Sequence, residues 1–277
     1  MPEGHTIHRL AQDYAAAFAG TAVRATSPQG KFSDAAALLD GTELTGTDAH
    51  GKHLFLGFGA SWVHIHLGLF GKVALGAAPA PPPTDTVRLR LVNDTAYVDL
   101  RGPTTCALIT DPEKRAIHDR LGPDPLRPQD DGNDPRTAYA RISRSRTTIA
   151  ALLMDQKIVA GVGNVYRAEV LFRHGIDPYR PGRDITPAEW DAVWRDLVAL
   201  MREGVRNNRI DTVRPEHTPE AMGRPPRVDD HGGEVYVYRR ADQPCHLCGT
   251  AVRTAELAAR NLFWCPACQR NEPRPRN

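Results

Sequence analysis

Four cysteines near the end of the sequence have the spacing of a metal site. They form two pairs, Cys245-His-Leu-Cys248 and Cys265-Pro-Ala-Cys268, with sixteen residues between them. Each pair can occupy a tight turn that points two thiolates at one ion, and four thiolate ligands are typical of a closed structural zinc site. The sequence therefore predicts one structural Zn²⁺ bound by all four cysteines, with His246 as a bystander in the first turn.

The second residue of the chain, Pro2, could act as a nucleophile. A small residue at this position normally allows Met1 to be removed, which would leave a secondary amine at the terminus. An α-amine titrates at about pH 8, well below lysine, so more of it is neutral at neutral pH. Such an amine can attack a sugar C1′ and form an iminium, with Glu3 as general acid or base. Many chains begin with Met-Pro and have no such role, so that alternative stays open here.

A glycine-rich turn, Gly161-Val-Gly163, leads into a predicted helix that begins at Asn164. The glycines allow close approach of the backbone, and the free N–H groups at the start of a helix suit a phosphate. A plain corner between two helices explains the same residues equally well. Lys52 stands before a predicted strand, where a lone lysine is usually solvated.

Composition indicates a water-soluble protein of one large or two smaller domains, with 277 residues of which 41% are hydrophobic. No apolar run reaches the roughly 18 residues that cross a membrane, and the start does not resemble a secretory signal. We therefore expect a cytoplasmic, monomeric protein without membrane contact. Residues 1–140 contain 13 Lys+Arg and 16 Asp+Glu, whereas residues 141–277 contain 22 and 17. The second half is thus the better candidate for a surface that binds a polyanion such as DNA.

Periodicity predicts a helix near residues 6–19, from Ile7 through Phe18, followed by antiparallel strands. Residues 111–136 are rich in Pro and Asp, and we predict that they form a domain linker or a long surface crossing. Beyond it we predict helices at residues 147–155, 164–174 and 187–203, the last with a Thr186 capping box and a stop at Gly204. The predicted strands are His53–Phe58, Trp62–Leu67, Thr86–Val92, Thr95–Leu100, Thr104–Thr110 and Glu234–Arg239.

The motifs occur in an order that resembles the formamidopyrimidine-DNA glycosylase / endonuclease VIII family. The matching segments are Pro2-Glu3-Gly4, Gly51-Lys-His-Leu-Phe55, His66-Leu-Gly-Leu-Phe-Gly71, Leu121-Gly-Pro-Asp-Pro125, residues 156–172 and the four-cysteine finger ending at Gln269. They span nearly the whole chain. The glycine after Pro2-Glu3 is similar to the endonuclease VIII branch, which favours oxidised pyrimidines.

The resemblance implies an α+β multidomain fold. Residues 1–125 would form an N-terminal β-sandwich with flanking helices, residues 126–233 a helix–two-turn–helix domain with a mobile loop at 206–233, and residues 234–277 a β-hairpin zinc finger. Damaged DNA would be the partner, lying in a basic cleft between the domains. A non-catalytic, zinc-containing protein that binds damaged DNA is the alternative.

The resemblance also implies roles for individual residues. Pro2 would attack C1′ and Glu3 would donate or shuttle the proton, and β,δ-elimination would then nick the strand. Lys52, Asn164 and Arg260 match the positions that contact phosphates around the lesion. The residues that would fill the hole left by the extruded nucleotide are Leu69, Phe70 and Arg101. Phe70 could instead be a buried aromatic at a strand end, and Pro103 stands where the family often has a second filler, Phe. His64 and His66 alternate on one strand face; we interpret them as core or interface histidines rather than metal ligands.

Overall fold

The structure, a computed structural model, describes residues 2–129, 133–228 and 233–270. The chain divides into two compact units, Met1–Arg120 and Leu121–Asn277. The predicted division into three domains at residues 125 and 233 stays a prediction. None of the described helices has both the length and the apolarity that crossing a membrane requires.

The first unit contains a β-sandwich, as the sequence predicted. Its elements are α1 (Gly4–Phe18), β1 (Ala22–Thr26), α2 (Ser33–Leu39), β2 (Thr42–Glu43), β3 (Gly46–His50), β4 (His53–Phe58), β5 (Ser61–His66), β6 (Lys72–Ala77), β7 (Val87–Val92), β8 (Ala96–Arg101), β9 (Thr105–Thr110) and α3 (Asp111–His118). The strands described in this unit form a sheet in the order β2-β1-β7-β8-β6 and a second sheet in the order β3-β4-β5-β9, all antiparallel. Alternate side chains of both sheets meet between them, as Leu56, Ile65, Leu91 and Val98 do, because successive strand residues point to opposite faces.

Helix α1 forms where the apolar spacing predicted it. Ile7, Ala11, Tyr14 and Phe18 are all buried, since residues three and four apart share one face of a helix. The helix packs along β3, where the hydroxyl of Thr47 donates a hydrogen bond of 2.8 Å to the carbonyl of Ala11.

The second unit is helical with a two-stranded hairpin. Its elements are α4 (Pro135–Ile142), α5 (Ile149–Leu152), α6 (Asn164–Arg173), α7 (Pro187–Asn207), α8 (Pro219–Met222), β10 (Arg253–Leu257) and β11 (Arg260–Trp264). Helix α7 begins with the predicted capping box of Thr186 and Glu189. It does not stop at Gly204, which is buried; the helix continues to Asn207 and is capped by Asn208 in the left-handed conformation.

Several predicted elements were wrong. Glu234–Arg239 is not a strand, because three consecutive backbone N–H groups in it donate to one buried carboxylate instead of to a neighbouring strand. Helix α3 occupies part of the supposed linker and is capped by Thr110 and Glu113. The helix predicted at residues 147–155 shortens to α5. Strands β1, β2, β3 and β6 were missed.

The predicted mobile loop at 206–233 has more anchors than its composition suggested. Thr212 is fully buried and donates from its hydroxyl to Glu169, and Arg224 forms an ion pair of 2.7 Å with Glu234. Residues 130–132 of the predicted linker and residues 229–232 of the predicted loop lie outside the described residues.

Candidate functional site

The four cysteines converge as a tetrahedral metal site requires. Their Sγ atoms all lie within 4.8 Å of one another, with 3.9 Å between Cys245 and Cys268 and 3.5 Å between Cys248 and Cys265. Zinc–sulfur bonds of about 2.3 Å in a tetrahedron separate the sulfurs by about 3.8 Å, so the cluster has the right size for Zn²⁺. Hairpin β10–β11 connects the two pairs, and the four thiolates leave no open position on the ion. The predicted structural zinc is confirmed as the group that these residues fit.

Pro2 and Glu3 immediately precede helix α1. Pro2 is half-buried and Glu3 is fully buried, with its carbonyl accepting from the N–H of Thr6 at 3.0 Å. The helix runs antiparallel to β3, since Ala19 bridges to Leu44 and Ala11 contacts Thr47. At about 1.5 Å per residue along a helix and about 3.3 Å along a strand, its first residues reach the level of the turn that follows β3.

That turn consists of Gly51 and Lys52 and joins β3 to β4. Gly51 has φ +59°, a left-handed conformation that glycine adopts readily. Lys52 is half-buried and lies near His66 at the end of β5: burial, and then the charge of Lys52, lower the pKa of His66. Lys52 and the start of α1 therefore lie toward the same end of the first unit.

Two further turns lie at this end. The turn from Leu67 to Gly71 between β5 and β6 leaves Leu69 50% and Phe70 82% exposed, so Phe70 is not a buried strand-end aromatic. Arg101 ends β8 opposite the first residue of β6 and donates to Asp99 at 2.8 Å. The next residue, Gly102, lies against the carbonyl of Phe70, where a Cβ would approach to 3.2 Å. The structure thus brings Leu69, Phe70 and Arg101 onto adjacent segments.

The predicted core histidines occupy one face of the sheet β3-β4-β5-β9. His64 is buried, and its Nε2 lies 2.9 Å from Nδ1 of His53 in a hydrogen bond. The rings of His53 and His66 are 5.0 Å apart. Burial, and then the charges of the neighbouring histidines, lower the pKa of His53 to about 3; burial lowers the pKa of His64 to about 4. These side chains are therefore neutral at physiological pH.

In the second unit, Asn164 and Arg260 are brought close together. Asn164 is the first residue of α6, and its Nδ2 donates to the carbonyl of Asn261 at 2.8 Å. Arg260 precedes Asn261 at the start of β11. Arg167, which is fully buried, donates to Oδ1 of Asn164 and so fixes the orientation of its amide.

Sequence reasoning missed three polar residues, two of them fully buried, that support this arrangement. Gln156 closes the glycine-rich turn by accepting from the N–H of Gly161 at 3.0 Å and donating to the carbonyl of Val162 at 2.9 Å. Arg167 and Glu169 are both fully buried on α6. The only available signal was polar residues inside an otherwise apolar helix, which also describes a solvated face.

Models of three domain families match the chain. They are the formamidopyrimidine-DNA glycosylase N-terminal domain over residues 1–106, the formamidopyrimidine-DNA glycosylase H2TH domain over residues 121–214, and the zinc finger found in FPG and IleRS over residues 242–271. The chain belongs to the formamidopyrimidine-DNA glycosylase / endonuclease VIII family, as the sequence motifs predicted.

Individual relatives agree with this assignment. Endonuclease 8 1 of Mycobacterium tuberculosis is 52% identical over 274 residues, which cover 97% of this chain and all of the relative. A formamidopyrimidine-DNA glycosylase of Methylococcus capsulatus is 32% identical over 250 residues, covering 86% of each chain. Among solved structures, Lactococcus lactis Fpg in complex with an abasic site containing DNA is 20% identical, covers 97% of this chain and has a TM-score of 0.76. This last similarity concerns the fold alone.

Proposed function

We propose that this protein is a bifunctional DNA glycosylase and abasic-site lyase that removes oxidised bases. The observation that carries the proposal is the location of Pro2 and Glu3 at the start of α1, toward the same end of the first unit as Lys52. The full-length similarity to a protein named endonuclease 8 supports it.

Pro2 would supply the nucleophile after loss of Met1. The ring nitrogen bonds to C1′ while the bond from C1′ to the base breaks, and the departing base takes a proton from an acid such as Glu3. Opening of the sugar ring then gives an iminium. Loss of a C2′ proton expels the 3′-phosphate, and a second elimination expels the 5′-phosphate. The N-terminal end of α1 carries partial positive charge, which favours the neutral, nucleophilic form of a nearby amine.

The remaining predicted residues would bind the distorted DNA. Lys52, Asn164 and Arg260 would contact phosphates, where cationic and amide donors fix the position of the strand. Leu69 and Phe70 would enter the space left by the extruded nucleotide, because exposed apolar side chains replace lost base stacking. Arg101 would fill part of the same space.

Borohydride trapping tests the nucleophile. The protein is incubated with an abasic-site duplex and reductant, and the adduct is mapped by peptide mass spectrometry. We expect the adduct on the N-terminal peptide that begins with Pro2, and unchanged trapping in Lys31→Gln, which removes an exposed lysine. An adduct on the peptide containing Lys52 would refute the role of Pro2, and tight binding without any adduct would favour the non-catalytic alternative.

The finer features of the proposal concern the preferred lesion, the oligomeric state and the location in the cell. We propose a preference for oxidised pyrimidines, and a monomeric protein that acts in the cytoplasm. Cleavage of duplexes carrying dihydrouracil, thymine glycol, 8-oxoguanine or an abasic site tests the preference. Faster removal of 8-oxoguanine opposite cytosine would contradict it, and sedimentation equilibrium tests the monomer.

A further inference from the structure

Glu169 is a fully buried carboxylate near the middle of helix α6. Its Oε1 accepts from the N–H groups of Val237 and Tyr238, both at 2.8 Å. Its Oε2 accepts from the N–H of Tyr236 at 2.7 Å and from the hydroxyl of Thr212 at 2.6 Å. Four donors hydrogen-bond this buried carboxylate, and Arg173 and Arg240 lie close enough to interact with its charge.

The three backbone donors belong to the segment that enters the zinc finger. Seven residues after Tyr238 comes the first ligand, Cys245. The ring of Tyr238 lies against Phe263 of β11 with 5.4 Å between centroids. Glu169 therefore fixes the base of the finger to α6.

The same helix contacts the tip region of the finger hairpin through its first residue. Asn164 donates to the carbonyl of Asn261, next to Arg260. The finger is thus attached to α6 at two places, and the attachment at Glu169 holds the backbone from which the hairpin extends.

We infer that Glu169 is a positioning residue that keeps Arg260 in register with Asn164, so that both can contact the same stretch of DNA backbone. This inference rests on the proposed function, because it assigns phosphate contacts to those two residues. A neutral amide in place of the carboxylate keeps the shape of the side chain, but it turns an NH₂ group toward donors. Each oxygen of Glu169 accepts two of the four hydrogen bonds, so two of them are then lost.

Glu169→Gln tests the inference by its effect on the salt dependence of DNA binding. The probe is a duplex with a tetrahydrofuran abasic analogue, and the dissociation constant is measured from low to high salt. Each lost phosphate contact reduces the slope of log K against log salt by about 0.9. We expect Glu169→Gln and Arg260→Ala each to reduce the slope by about one, and to weaken binding by about tenfold at moderate salt.

A double-mutant cycle separates positioning from general loss of structure. If Glu169 acts through Arg260, the double variant binds within about twofold of Arg260→Ala. Glu203→Gln, which removes an exposed carboxylate from α7, is the charge-matched control and should bind like the wild type. An unchanged slope in folded, zinc-loaded Glu169→Gln, or additive losses in the double variant, would overturn the inference.

A second variant and the wild-type measurement cover the cases in which Glu169→Gln cannot be interpreted. If Glu169→Gln does not retain zinc, Thr212→Val is tested instead. This variant removes one of the four donors to Glu169 and keeps the shape of the side chain, so it should reduce the slope of log K against log salt by a smaller amount. No slope change in Thr212→Val would then count against the inference. If the wild-type protein neither binds the probe nor forms a trapped adduct, the proposed function fails, which is a different outcome from a change specific to Glu169.

Discussion

The neutral histidines of the first unit should make that unit sensitive to mild acid. Burial, and then the charges of nearby groups, lower the pKa of His53 to about 3 and that of His5 to about 4, and burial lowers the pKa of His64 to about 4. In the unfolded chain all three have a pKa of about 6.5. Well above pH 6.5 both states are neutral and the histidines contribute no pH dependence. As the pH falls below 6.5, the unfolded chain binds protons that the folded chain excludes, so the free energy of unfolding decreases.

The size of the effect follows from the number of excluded protons. A histidine that stays neutral in the folded state loses about 2 kcal/mol of stability between pH 7 and pH 5. His5 and His64 are 5% and 8% exposed and should approach this value. We halve it for the half-buried His53, where water screens the charge. The expected total is therefore about 5 kcal/mol.

Hydrogen exchange read by mass spectrometry measures this change within the first unit. Peptides from β4 and β5 report on the sheet that carries His53 and His64, whereas global unfolding would also record the release of zinc from the second unit by acid. His64→Gln should reduce the loss between pH 7 and pH 5 by about 2 kcal/mol, after correction for intrinsic exchange rates. Glu203→Gln should leave it unchanged. Equal opening free energies at pH 7 and pH 5 in the wild type, or an unaltered loss in His64→Gln, would refute the reasoning.

Two further predictions concern the finger. Removal of zinc by a chelator should unfold residues 242–270 and abolish binding to the abasic duplex, because the small module has few apolar contacts of its own. Adding Zn²⁺ back should restore both. Circular dichroism and DNA binding measured in parallel test this, and retained binding in the zinc-free protein would contradict it. Ala258 and Ala259 form the turn between β10 and β11 and have φ of +52° and +55°. Glycine adopts this conformation without the cost that a Cβ adds, so Ala259→Gly should stabilise the finger by up to about 1 kcal/mol. We expect slower loss of zinc to a chelator, and faster loss would show that the turn is not strained.

The sequence predicted correctly those elements that are determined by residues close together in the chain. The capping box at Thr186 and Glu189, the stripe of α1 and the two cysteine pairs all depend on residues within a few positions of one another. The edge strands β2 and β6 were missed because they lack alternation: β2 has two residues, and β6 leaves most of its side chains exposed. Glycine at position 204 indicated a helix end, but burial of the helix face outweighed its low propensity.

The supporting residues of the candidate site escaped sequence reasoning because their partners are distant in the chain. Arg167 and Glu169 make α6 look like a helix with a polar, solvated side. That side is instead an interface: the acceptors and donors for it come from Asn261 and from residues 236–238, between 67 and 94 positions away. A charged residue without an opposite charge nearby in the sequence is usually exposed, so the pattern alone does not indicate that these two residues are buried.

The burial of Arg167 and Glu169 has a consequence for how the second unit is stabilised. Removing residues 236–270 would leave Glu169 with one of its four donors and would take away the carbonyl of Asn261 that accepts from Arg167. Removing α6 would leave the three backbone N–H groups of residues 236–238, which lead into the finger, without this acceptor. An uncompensated buried charge costs several kcal/mol, far more than an exposed ion pair contributes. Helix α6 and the finger, with the segment that leads into it, therefore depend on each other for stability. The two candidate phosphate contacts, Asn164 and Arg260, belong to one mutually stabilised part of the structure.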